Sequence, residues 1–160
     1  MINQLISGRI TSVGDGIAYI LSTLVVIFLT LPIHEFAHGF AASKLGDPTP
    51  RYQGRLTLNP LAHIDYIGAA CILLVGFGWA KPVPVDMRYF KKPKQGMALT
   101  ALAGPVSNFV LALLALLCAR LVYHQYGALW DFIFDLLLTT AYLSVGLGLF
   151  NLIPISPLDG

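Results

Sequence analysis

The sequence predicts an all-α multi-pass membrane protein with three spanning helices, a short re-entrant or interfacial segment and a small β-strand/loop element. Composition is the first reason. Of 160 residues, 56% are hydrophobic and 11% charged, against roughly 25% charged in a soluble domain. Mean hydropathy is +0.73. Length is the second reason: residues 17–45, 97–123 and 128–155 are apolar stretches longer than the about 20 residues a spanning helix needs. A fourth stretch, 67–80, is short for a span.

The chain reads as one core domain over 1–160. In its first sixteen residues Ile2, Leu5, Ile6, Ile10 and Val13 recur at helical spacing, which suits a short interfacial helix or a frayed terminus. No small-residue cleavage site follows, so this is not read as a removable signal peptide. The helix over 17–45 should stop at Gly46-Asp47-Pro48. Pro32 inside it lacks an N–H and should kink it just before His34. Residues 46–96 form a loop region on one side of the membrane that contains 67–80; its first part, 46–66, is polar and turn-rich, and within it Arg55-Leu56-Thr57-Leu58 alternates like a short strand. The segment Lys81–Val85 is held extended by its prolines. On the helix over 97–123, Ala101, Pro105, Asn108, Ala112 and Ala115 share one face, a small-residue surface that lets another helix approach closely. The helix over 128–160 carries Ser144 and Gly148 at similar spacing.

Net charge is +2 and implies no nucleic-acid partner, because most Lys and Arg sit in loops where they set membrane orientation. Cys71 and Cys118 lie in apolar runs without paired spacing and read as buried small hydrophobes.

One stretch breaks the apolar pattern. His34, Glu35 and His38 fall within a turn and a half of helix, and Glu35 is the only glutamate in the chain. Residues i and i+4 share a helical face, so both imidazoles can aim at one point with Glu35 beside it. This is the H-E-x-x-H arrangement, two zinc ligands and a general base for the water the metal activates. A structural polar cluster is the plain alternative. Each ionisable group at membrane depth costs about 2.5 kcal/mol or more, however, and a divalent cation would offset that cost. A catalytic zinc keeps three protein ligands and an open position. His63 and His124 lie in loops near helix ends and read as interfacial, while Asp131 and Asp135 start the last helix. Asp159 sits at that helix's far end among helix-breaking residues, and a carboxylate on unwound backbone at membrane depth lines a cavity or binds something. It is the expected third ligand.

With HEFAH, AGPVSN, GWAKPVPV and NLIPISPLDG, residues 20–160 resemble the site-2 protease family of intramembrane zinc metalloproteases. The resemblance implies one Zn2+ held by His34, His38 and Asp159, Glu35 as catalytic base, and Asn151 holding substrate. Asn108 fits the AGPxxN pattern, in a packing role or behind a ligand. The implied activity is hydrolysis of a peptide bond within or near a transmembrane segment of another membrane protein. Family members continue past LDG, so a C-terminally truncated sequence is expected.

Topology follows from the ligands. His34 and Asp159 both lie toward the C-terminal ends of their helices, so those helices must run parallel, and 67–80 must enter and leave on one side. That arrangement puts Lys44, Arg51, Arg55, Lys81, Arg88, Lys91, Lys92 and Lys94 on one face and Arg9 and Arg120 on the other. The basic face is then cytoplasmic, in a bacterial plasma membrane. An unwound substrate needs backbone partners, which either the strand near Arg55–Leu58 or the segment Lys81–Val85 could supply as an added-strand partner. The rival readings are an ion or proton transporter and a catalytically silent scaffold built on the same His/Glu/Asp cluster.

Overall fold

The computed structural model describes residues 13–75 and 78–152. Calls on residues 1–12 and on 153–160, Asp159 among them, lie outside the described residues.

The apolar first stretch forms one continuous helical rod in three pieces. Helix α1 spans Val13–Val25, a π-helical turn covers Val26–Thr30, and α2 spans Leu31–Lys44. The expected disturbance at Pro32 thus takes the form of a widened turn just upstream, with Pro32 in the first turn of α2, where its missing N–H costs least. The rod ends at Gly46, whose φ of +111° a β-carbon would strain. A one-turn helix α3 follows at Thr49–Tyr52, then α4 at Tyr66–Val75. The two remaining long helices are α5, Pro93–Val122, and α6, Ala128–Asn151. Among the described residues three helices are therefore long and apolar enough to cross a membrane: Tyr19–Lys44, Pro93–Val122 and Ala128–Asn151.

Cross-helix contacts fix their directions. Thr100 meets His38 and Asn108 meets His34, so α5 runs antiparallel to the rod. Asn151 reaches His34, while Leu21 to Leu29 line a groove with Phe132 and Leu136. The first and last long helices are parallel, as convergence of the motifs requires.

Burial is inverted relative to a water-soluble protein. The seam between α5 and α6 buries Ala112, Ala115 and Ala141, with Leu137 and Val145 packed against them. Thr30, His34, Asn108 and Ser144 are also interior, while Leu99, Leu113, Leu117 and Val110 are about half exposed. Small residues inside let the backbones approach, and large ones outside meet lipid. Cys118 is on that exposed face and Cys71 is half-buried, so neither is the fully buried hydrophobe expected.

One expected element is corrected, and another is given no membrane placement by the fold. There is no β-strand among the described residues; Arg55–Leu58 is a bend. Its alternation reflects a loop that satisfies its own backbone. Arg55 N donates to Pro50 O, the Arg55 guanidinium to Ala62 O, and Thr57 O bonds the His63 ring, which leaves no row of groups for a second strand. The re-entrant or interfacial segment over 67–80 is, within the described residues, the ten-residue helix α4 followed by extended chain from residue 78. The fold itself assigns it no membrane position. Its ends meet, since Lys81 N donates to His63 O at 2.8 Å, and Tyr19 Oη donates to Ile72 O near the far end at 3.3 Å.

Candidate metal centre

His34, Glu35 and His38 occupy consecutive turns of α2 on its buried side, at 1%, 6% and 7% exposure. The two imidazoles converge: Nε2 of His34 and Nε2 of His38 are 3.0 Å apart. Two imidazole nitrogens on one tetrahedral divalent metal, each at about 2.1 Å, stand roughly 3.4 Å apart. The observed pair is close to that arrangement.

The opposite ring nitrogens are held from α5. His38 Nδ1 lies 2.7 Å from Thr100 O. A carbonyl only accepts, so this nitrogen carries the proton and Nε2 keeps its lone pair for a metal. On His34 the partner is the Asn108 amide, whose nitrogen is 3.0 Å from Nδ1. Asn108 is fully buried and its Oδ1 is otherwise without a partner. Rotating the amide by half a turn brings Oδ1 onto Nδ1, satisfies that oxygen, and leaves the Nε2 lone pair free for coordination as on His38. The donor set and its supports therefore fit a metal.

The chain is 45% identical over 147 residues to YwhC of Bacillus subtilis, named as a candidate zinc metalloprotease, across 89% of this chain and 65% of that one. The chain is a homologue of named zinc metalloproteases. Rip2 of Mycolicibacterium smegmatis, also named as a candidate zinc metalloprotease, is 32% identical over 138 residues, 82% of this chain and 51% of Rip2. The zinc metalloprotease MJ0392 of Methanocaldococcus jannaschii is 25% identical over 136 residues, 85% of this chain and 31% of its own length. The chain thus spans from about a third to two thirds of the length of these relatives. No family model and no solved structure matches it. These names are consistent with the resemblance of the motifs to the site-2 protease family.

In this metalloprotease homologue Asn151, at the end of α6, places its Nδ2 3.2 Å from His34 Nε2, at the point where the two rings converge. Glu35 accepts from Val83 N, 3.1 Å from its Oε2, so the extended Lys81–Val85 segment lies against the carboxylate. Among the described residues no group of three or more His, Cys, Asp or Glu side chains forms a metal cluster. His63 and His124 stay away from the pair. His63 is buried rather than interfacial, its Nε2 at 2.8 Å from Thr57 O, and His124 stacks edge-on with Tyr123 at the other end of α5.

Sequence reasoning missed Gly104. A β-carbon there would lie 2.6 Å from Cε1 of His34 and equally close to Cε1 of His38. The glycine lets α5 approach until its carbonyls and Asn108 reach the imidazoles. The available signal was a glycine one turn before Asn108 on the same small-residue face.

Proposed function

We propose that this chain is the catalytic core of an intramembrane zinc metalloprotease that cleaves a peptide bond within or near a transmembrane segment of another protein. The observation that carries this reading is the 3.0 Å convergence of the His34 and His38 Nε2 atoms with a buried glutamate on the same helix turn. In this reading His34, His38 and Asp159 hold one Zn2+. The chemistry supplied by a bound zinc is Lewis acidity, which lowers the pKa of a coordinated water to about 7 and polarises a peptide carbonyl.

The chain's own groups do the rest. Thr100 O and Asn108 fix the imidazole orientations. Glu35, aligned by Val83 N–H, takes the proton of the attacking water and delivers it to the leaving amine. Asn151 orients the substrate backbone beside the rings. Lys81–Val85 is the edge on which an unwound substrate pairs. Pro82 and Pro84 have no N–H, and those of Lys81 and Val83 already donate to His63 O and Glu35. Residues 81–84 therefore offer carbonyls alone, and the substrate must present N–H groups.

The site faces the cytoplasm, with α4 re-entering from that side. Support comes from the closed ends of its excursion at His63 and Lys81 and from the basic loops. Labelling of single cysteines in the 46–66 loop from the cytoplasmic face alone is the expected outcome; extracytoplasmic labelling would overturn it. Glu35→Gln tests the chemistry. A protease keeps its zinc and loses cleavage of a labelled single-span peptide, whereas cleavage surviving the substitution refutes the assigned base.

A further inference from the structure

Asp47 has no part in the reading above, yet its environment is unusual. It is a loop carboxylate with no accessible surface, and among the described residues no lysine or arginine pairs with it. Its charge is met by backbone instead: Oδ1 accepts from Thr49 N at 2.9 Å and Oδ2 from Asp86 N at 2.8 Å. Burying an ionised carboxylate without a cation is costly, so the contact it makes at Asp86 bears on what that segment does.

Asp86 ends the extended stretch that begins at Lys81. The stretch is anchored at its other end by Lys81 N on His63 O, 2.8 Å. Between the anchors Val83 N donates to Glu35 Oε2. Pro82 and Pro84 fix φ on either side of Val83, so the segment behaves as a stiff strap, and its position is set by where its ends are tied. A glutamate has three rotatable side-chain bonds, and the strap's N–H selects the rotamer that places its carboxylate.

We propose that Asp47 is a positioning residue for Glu35: through the Asp86 N–H it ties down the Lys81–Asp86 strap, which holds the Val83 N–H against the catalytic carboxylate. The proposal rests on the protease reading. Loss of the anchor lets the N–H wander, and misplacement of a reacting group by about 1 Å costs on the order of a hundredfold in rate. The strap is also the edge offered to substrate, so KM can move as well; the mark of the proposal is the loss in kcat that follows the Val83 N–H.

The test is a double-mutant cycle on the full chain, zinc-loaded in lipid, with a labelled single-span peptide as probe. Asp47→Ala should lower kcat about ten- to a hundredfold with zinc content unchanged. Val83→Pro, which deletes the N–H itself, should lower kcat by at least as much. The double variant should be no slower than Val83→Pro alone, because the two act through one contact. Losses that multiply, a change confined to KM, or full kcat in Asp47→Ala would overturn the proposal. If Asp47→Ala does not fold, Asp47→Leu, close in size but without an acceptor oxygen, runs the same cycle with the same criteria. Wild type and Glu35→Gln in the same assay separate the two levels. Absence of Glu35-dependent cleavage sinks the protease reading, while its presence with a failed cycle sinks the strap alone.

Discussion

Asn151 Nδ2 lies 3.2 Å from His34 Nε2 across 117 residues of sequence, so the C-terminal ends of the first and last long helices meet. The last described turn of α6 is thereby brought to the imidazole pair. On the protease reading Asn151→Ala should raise KM several-fold with zinc content unchanged, read from steady-state cleavage and metal analysis. A variant that lost its zinc instead would make Asn151 part of the metal's support.

Gly104→Ala should be far more damaging than its size suggests. The new methyl would press on Cε1 of both imidazoles, and neither ring can retreat while Thr100 and Asn108 hold it. Metal binding and cleavage should fall at least a hundredfold, since a displacement of about 1 Å at a reacting centre costs that much. Far-ultraviolet circular dichroism should show the helices intact.

Asn108→Ala removes the partner of His34 Nδ1. Loss of such an outer support lowers metal affinity about 10- to 100-fold, measured by competition with a chelator. Asn108→Asp, which retains an acceptor for Nδ1–H, should recover part of it.

Ala115→Leu probes the α5/α6 seam. Ala115 packs with Ala112 and Ala141, where extra methylenes cost about 1–3 kcal/mol through overpacking. The melting temperature in detergent should drop, with zinc affinity unaltered at temperatures below the transition.

Arg88→Ala is the mild case. Arg88 hydrogen-bonds Asp86 by side chain and backbone and holds its carboxyl below the ordinary carboxylate range. A depressed native pKa contributes stability above the unfolded value, lost as pH falls through the native one. Arg88 is largely exposed and Asp86 partly so, and solvent screening keeps the contribution small. In the variant Asp86 should protonate at a higher pH than in the wild type, visible by carbon-13 NMR of labelled aspartate, with cleavage at neutral pH unchanged.

The helices and the histidine pair were legible because they depend on local rules. Apolar length marks a span, i and i+4 mark a shared face, and Ala112, Ala115 and Asn108 mark the seam. What could not be read needed knowledge of a distant partner. Glu35 is met by Val83 and Asp47 by Asp86, loop-to-helix and loop-to-loop contacts with no periodic trace. Arg55–Leu58 alternates like a strand, but strands need neighbours, and here the backbone is consumed by Pro50 and His63. His63 looked interfacial because loops usually are; folding of the 55–63 turn onto itself buried it.

The π-helical turn at Val26–Thr30 takes up one residue more than an α turn within a single rotation, so the extra residue is absorbed where it lies. Deleting a single residue there would restore regular α winding and shorten the rod by about one residue's rise, while the Tyr19–Val25 half kept nearly its angular position and His34 and His38 kept their aim. The rod's length on its lipid side can thus change without turning either half, so membrane fit can be adjusted apart from the histidine pair.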